Sequence, residues 1–399
     1  MPDASFNSRR RLRVCRTVTV STTFATLLRL QLRVLSNNDI TLTLICSPSA
    51  ELEAIARENS MTFHPVPMAR AITPTKDLRS LLLLYSYFRS MRFDIVHSST
   101  PKAGLLTALA SRMARVPVRL HTYTGQPWVE MQGLRRFLSR TSDKVIGSLA
   151  TNCYADSESQ REFLISQRIV APSKIAVLAS GSISGVDLDR FDPSIWRHAR
   201  GAETRSELGI ASDALITLFL GRLTRDKGIV ELVEAFCELR VPGRDVELVL
   251  VGPFEPERDP LPPATLSQMA NHERIHLVSF TPHPERYMGV ADVFCIPSYR
   301  EGFGSVVIEA AAMGVPSVAT AVVGLIDSVV PGETGLLVPP KDVVALRSAL
   351  LSLLANSDLR QRLGQRAQTR ARELFDGAKV NQAVADEYWR VHGQIDKNS

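Results

Sequence analysis

Glu301 and Glu309 stand eight residues apart around the turn Tyr299-Arg300-Glu301-Gly302-Phe303-Gly304-Ser305, which runs on as Val306-Val307-Ile308-Glu309-Ala310-Ala311-Ala312-Met313-Gly314-Val315-Pro316. Carboxylates accept hydrogen bonds from the hydroxyls of a polyol. Gly302 and Gly304 allow backbone dihedrals that a side chain forbids and let the chain approach a ligand closely. A helix opening at Ser305 leaves N–H groups without intrahelical partners, and these favour a phosphate. Glu301 precedes the turn and Glu309 lies about one helical turn inside it, so both can face one ligand. The outline is that of a site for an anionic sugar derivative.

A second constellation is Gly221-Arg222-Leu223-Thr224-Arg225-Asp226-Lys227-Gly228, which follows the apolar run Leu215-Ile216-Thr217-Leu218-Phe219-Leu220 and precedes a helical stretch from Ile229. On such a strand-to-helix loop the Arg222 guanidinium can bind a diphosphate bidentately, and the Lys227 ammonium adds a point charge. His121, in Arg119-Leu120-His121-Thr122-Tyr123-Thr124-Gly125, ends another strand-like run. Thr100-Pro101-Lys102-Ala103-Gly104 opens a helix, so Lys102 and that helix terminus form a second candidate anion site.

These groups need a frame. The 399 residues exceed one typical core and fit two domains of about 150 to 200 residues each. Strand-like runs at residues 12–20, 41–46, 95–97 and 118–121 alternate with helical stretches at 24–36, 51–59 and 103–114. After a polar stretch to Ala211 the pattern restarts at Leu215, with further strands at 246–252, 275–280, 293–296, 317–320 and 336–338 and a helical tail from Val343. This alternation predicts an α/β chain of right-handed βαβ units, with parallel sheets covered on both faces. Ligands of such sheets sit beyond the carboxyl ends of the strands, where all these motifs fall.

With 45% hydrophobic and 22% charged residues, the composition is that of an ordinary globular protein. The five cysteines are scattered without a C-x-x-C pair, so they read as buried thiols of a reducing cytosol. No apolar run reaches the roughly 18 to 20 residues of a membrane span. The net charge of +6 suits phosphorylated ligands and an anionic membrane face. Lys and Arg are spread through both halves without a nucleic-acid-binding signature, so no nucleic-acid partner is expected.

The Glu301 to Pro316 run resembles the E-x7-E motif of retaining glycosyltransferases of family 4, and residues 221–228 resemble that family's G-R-x-x-x-x-K-G pattern. The resemblance extends from about Arg13 to Glu387. It implies the GT-B fold, two doubly wound Rossmann-like domains facing across a cleft. Residues 1–190 would form the acceptor side, residues 191–376 the donor side, and residues 377–399 a helix crossing back to the first domain. It further implies that Gly221, Arg222 and Lys227 hold the diphosphate of a nucleotide-sugar donor. Glu309 would hold the ribose, and Glu301 the transferred sugar, with the backbone of Gly302, Phe303 and Gly304 alongside, while Ser305 opens the helix whose free N–H groups favour phosphate. His121 resembles in position the family's first-domain histidine, near the transferred sugar and the leaving phosphate.

Retaining members are thought to react on one face, the leaving diphosphate helping to deprotonate the incoming hydroxyl. No protein nucleophile, metal ion or other cofactor is therefore expected, and Asp187-Leu188-Asp189 reads as linker. Residues 66–78, 100–106 and 181–187 resemble the branch that builds bacterial capsule, exopolysaccharide and lipid-linked oligosaccharides, whose acceptor is commonly a sugar on undecaprenyl diphosphate. The chain departs from relatives in having Ser21-Thr22-Thr23 for a Gly-Gly loop, and Ser184 where a related branch has Asn. Arg9, Arg10, Arg11, Arg13 and Arg16, with Arg135, Arg136, Arg140 and Lys144 around Leu134, Phe137 and Leu138, predict peripheral docking on the cytoplasmic face of the membrane. A sugar-nucleotide epimerase, a phosphorylase and a non-catalytic partner subunit are the rival readings.

Overall fold

The computed structural model describes residues 11–69, 73–257 and 259–396. Its frame is two wholly parallel sheets. The first comprises β1 (Leu12–Thr17), β2 (Ile40–Cys46), β3 (Thr62–Pro65), β4 (Ile95–Ser99), β5 (Val118–Tyr123), β6 (Asn152–Ala155) and β7 (Ile175–Val177), in the order β3-β2-β1-β4-β5-β6-β7. The second comprises β8 (Leu215–Leu220), β9 (Val246–Val251), β10 (Ile275–Val278), β11 (Val293–Ile296), β12 (Ser317–Thr320) and β13 (Gly335–Val338), in the order β10-β9-β8-β11-β12-β13. Central strands such as β4 and β11 are buried along their whole length. β11 accordingly reads as a continuous apolar run, Val293-Phe294-Cys295-Ile296, since helices cover both faces of each sheet, whereas β4 buries His97, Ser98 and Ser99 as well.

Chain order reverses once in each sheet, between β1 and β4 and between β8 and β11. Loops leaving adjacent strands at such a point diverge and open a crevice. Because β8 and β11 pair directly, through Thr217 with Val293 and Leu218 with Phe294, the loop of residues 221–228 and the loop leading to Glu301 rise side by side.

Several elements differ from expectation. β1 stops at Thr17, and the helix expected at residue 24 begins as a π-helical turn (Thr23–Leu27) before the α-helix Arg29–Ser36. β5 continues to Tyr123, beyond His121. Arg16 lies on β1 with 1% of its surface exposed, donating through Nη1 to His97 Nδ1 and to the Tyr388 hydroxyl, both at 2.6 Å. It therefore offers nothing to a membrane, and Arg9 and Arg10 lie outside the described residues.

The chain crosses between the sheets twice at one place. Val186 N donates to Phe375 O at 2.7 Å and Gly377 N donates to Val186 O at 2.8 Å, forming an isolated parallel bridge between Val186 and Asp376. Beyond it the helix Gly377–Asp396 packs on Arg29–Ser36. Its Val384, Ala385, Tyr388 and Val391 join the first-sheet core around Leu12, Val14, Leu42 and Leu120. All five cysteines are free thiols. Among the described residues no helix is long and apolar enough to cross a membrane.

Candidate functional site

The loop after β8 and the loop after β11 are fastened by Asp226. Its carboxylate accepts from Thr224 Oγ1 at 2.6 Å and from Arg300 Nη2 at 2.9 Å, and its carbonyl accepts from Tyr299 N at 2.9 Å. Burial alone would raise its pKa, but Thr224, Lys227, Arg300 and Arg222 outweigh burial and hold it below the usual carboxylate range. Gly228 makes the close approach possible: at φ +70° it faces Pro297, whose carbonyl oxygen would lie 2.1 Å from an added Cβ.

The two cations expected to bind phosphate stand in this knot. Arg222 donates through Nη1 to Glu255 Oε2 at 2.8 Å and approaches Asp226 at 3.6 Å. Burial works against its charge, but Glu255, Asp226 and Glu301 overcome it and raise its pKa. Lys227 Nζ donates to Glu301 Oε1, and Ser298 Oγ donates to the same oxygen at 2.9 Å. Arg222, Lys227 and Glu301 are thus brought together. Glu255 and Ser298 complete the arrangement, and neither motif pointed to them, because each lies outside the glycine-marked runs.

Gly304, at φ +81°, is the N-cap of the helix Ser305–Ala312, and no side chain caps that helix. Among the described residues the N–H groups of Phe303, Gly304, Ser305 and Val306 meet no protein acceptor. Free amides beside two cations suit a phosphorylated ligand. Glu309, on this helix, is partly buried. Burial pushes its carboxyl up to about 7, with Arg190 opposing and Glu285 reinforcing the shift. Near neutral pH it can both donate to and accept from a ligand hydroxyl.

On the first-domain side His121 lies within β5, two residues short of the strand end at which it was expected. At this position β5 is still paired on both edges, with Ser98 of β4 and Cys153 of β6. His121 is 2% exposed, its Nδ1 shares a hydrogen bond of 2.8 Å with Ser98 Oγ, and its ring meets the Tyr123 ring edge-on at 4.5 Å and lies against Gly104 of the helix Pro101–Met113. Burial pushes its pKa down to about 3, so it is neutral. Past the end of β5, Thr124-Gly125 reaches the second domain, against Gly302. Lys102 Nζ pairs with Asp77 Oδ2 at 2.6 Å. Thr19 and Thr100 share a hydroxyl hydrogen bond of 2.9 Å, and Thr19 Oγ1 also accepts from Ala103 N at 3.3 Å. Asp187 accepts from Arg190 N at 3.3 Å, closing a turn.

Residues 202–370 match the family model described as glycosyl transferases group 1, and residues 23–181 that of the glycosyl transferase 4-like domain. The capsular polysaccharide biosynthesis glycosyltransferase CapM of Staphylococcus aureus is 30% identical over 371 residues, covering 93% of this chain and 95% of CapM. This chain is a family 4 glycosyltransferase. The UDP-Gal:alpha-D-GlcNAc-diphosphoundecaprenol alpha-1,3-galactosyltransferase of Escherichia coli is 26% identical to this glycosyltransferase over 329 residues, 80% and 82% of the two chains. The solved structure of Anabaena HepE in complex with UDP and glucose shares the GT-B fold, with a TM-score of 0.77 at 19% identity over 94% of this chain and 99% of that one.

Proposed function

We propose that this glycosyltransferase moves a sugar, with retention, from a nucleoside diphosphate donor to a polyprenyl-diphosphate-linked glycan in surface polysaccharide synthesis. The observation that carries the reading is the convergence of Arg222, Lys227 and Glu301 beside an uncapped helix N-terminus. In that reading Arg222, Lys227 and the amides of Ser305 and Val306 bind the diphosphate. Negative charge builds there as the glycosidic bond breaks, and preorganised cations stabilise it most in the transition state. The diphosphate takes Lys227 from Glu301 and frees that carboxylate for hydroxyls of the transferred sugar, while Glu309 holds the ribose. These cations stand in for a divalent metal. The leaving diphosphate accepts the proton of the incoming hydroxyl on the same face. The similarity to CapM and to the E. coli enzyme, whose name specifies a diphosphoundecaprenol acceptor, supports the lipid-linked acceptor.

Such an acceptor sits at the inner face of a membrane. Leu134, Phe137 and Leu138 are 71%, 65% and 43% exposed at the start of the helix Gly133–Leu149, among exposed Arg135, Arg136 and Lys144. An apolar edge framed by cations suits an anionic bilayer, where each engaged charge contributes about 1 kcal/mol.

The test is to mix the purified full chain with a panel of nucleotide sugars and extracted polyprenyl-diphosphate glycans. Mass spectrometry then detects product, and NMR its anomeric configuration. Retained configuration on a lipid-linked product supports the reading. Transfer only to soluble phosphorylated acceptors overturns the lipid-linked part, conversion of a donor without any acceptor points to an epimerase, and no turnover at all to a non-catalytic subunit.

A further inference from the structure

The turn following β6 in the first domain reaches across the cleft to the loop assigned to the donor sugar. Ser157 Oγ donates to Gly302 O at 3.0 Å. The Ser157 side chain is 1% exposed and begins the helix Glu158–Ser166, where the same oxygen accepts from Gln160 N at 3.2 Å. Two residues on, Ser159 Oγ donates to Asp327 Oδ2 and accepts from Gly324 N at 2.9 Å, while Ser159 N donates to Asp327 Oδ1 at 3.3 Å.

Gly324 and Gly302 are themselves in backbone contact: a Cβ added to Gly324 would lie 2.6 Å from Gly302 O. On its other side Gly302 meets Thr124, whose carbonyl oxygen would lie 2.8 Å from a Cβ on Gly302. The peptide between Gly302 and Phe303 is therefore gripped from three directions, two of them belonging to the first domain. A peptide unit is planar, with its C=O and N–H pointing opposite ways. Holding the Gly302 carbonyl toward Ser157 turns the Phe303 N–H away from Ser157.

We propose that Ser157 is a positioning residue for sugar transfer. It acts through the Gly302 carbonyl, and it completes the donor-sugar loop only when the two domains are closed. The inference rests on the proposed placement of the transferred sugar at Glu301 to Gly304. The diphosphate cations Arg222 and Lys227 belong wholly to the second domain, so nucleotide binding does not need Ser157.

The experiment separates this role from that of a helix cap. Ser157→Thr keeps both hydrogen bonds, Ser157→Asp keeps the cap but cannot donate to Gly302 O, and Ser157→Ala loses both. Hydrogen exchange of the peptide spanning residues 299–312, whose hydrogen-bonded amides lie in the helix Ser305–Ala312, should speed up in the Ala and Asp variants and stay at the wild-type rate in the Thr variant. Exchange at residues 221–228 should not change. In turnover assays kcat should fall by roughly 10- to 30-fold for Ala and Asp, the scale of one lost hydrogen bond acting in the transition state. Affinity for UDP and GDP, used as probes, should stay within about twofold of wild type.

Wild-type exchange at residues 299–312 in both the Ala and Asp variants overturns the proposal, as does an Asp variant that matches wild type while Ala does not. If the wild-type chain transfers no sugar, the proposed function fails, and the exchange result still decides whether Ser157 positions this loop.

Discussion

The carboxyl ends of β8 and β11 and those of β1 and β4 occupy the same place in two sheets of the same topology, yet they are furnished differently. The second-domain end is a lattice of charges, with Arg222, Lys227 and Arg300 held by Asp226, Glu255 and Glu301. Its first-domain counterpart is built from hydroxyls, Thr17 with Thr107 at 2.8 Å and Thr19 with Thr100 at 2.9 Å, and carries the ion pair of Lys102 with Asp77. Carboxylates keep cations aimed while a site stands empty, and a diphosphate can then exchange for them without reorganising the backbone. Hydroxyls donate and accept equally well and suit a neutral glycan. Topology decides where a ligand can sit, and side-chain chemistry decides which one.

The hardest blow to that contrast is removal of a second-domain cation. Arg222→Ala or Lys227→Ala should each lower turnover by roughly 10²- to 10³-fold, the scale of a lost transition-state donor. Steady-state assays on variants shown to be folded by circular dichroism check this, and near-normal turnover removes the assignment. On the first-domain side, Lys102→Ala should raise the acceptor KM by about tenfold, the worth of one charge-assisted contact, while leaving donor affinity alone. An equal loss of donor affinity would show that Lys102 serves the other ligand.

The neutral interior of the first domain gives a smaller, pH-dependent effect. His121 has a folded pKa of about 3, below the ordinary value of 6.5, so the unfolded chain binds more protons between these limits. The stability linked to its neutral form is complete above pH 6.5 and declines as pH falls toward 3, by about 1.4 kcal/mol per pH unit. Urea unfolding at pH 7, 6 and 5 should show a shallower acid decline for His121→Gln than for wild type, and identical slopes would contradict the burial argument. The smallest effect expected is none: EDTA should leave turnover unchanged, because in the proposed function Arg222, Lys227 and the helix amides take the role of a metal. Loss on chelation with recovery on adding magnesium or manganese would reverse that view.

The central strands of the second sheet were legible because strands covered on both faces are written as nearly unbroken apolar runs. β3, β6 and β7 were not, being three or four residues long and including partly exposed or polar positions such as Thr62, Asn152 and Ala176. Arg222, Lys227 and Glu301 were legible for a geometric reason: each lies on a loop just past a strand whose end the apolar pattern marks, and adjacent strands bring such loops together. His121 was expected at the end of its strand and lies two residues inside it, for the converse reason. β5 runs through Thr122 and Tyr123 before it ends, and a strand two residues longer moves the rim of the cleft to Thr124. Arg16 illustrates a further limit, since a guanidinium packed between His97 and Tyr388 looks in the sequence like any surface cation. Its partners are 81 and 372 residues away along the chain.

The bridge between Val186 and Asp376 has a mechanical meaning. Both chain crossings between the domains pass through it side by side, tied to each other by two backbone hydrogen bonds. A single strand could twist and swing in any direction, but two strands laced together resist shear and twist and leave bending as the soft motion. Domains joined in this way would swing as the leaves of a door do, so that the contacts of Ser157 with Gly302 and of Ser159 with Asp327 would engage or part together.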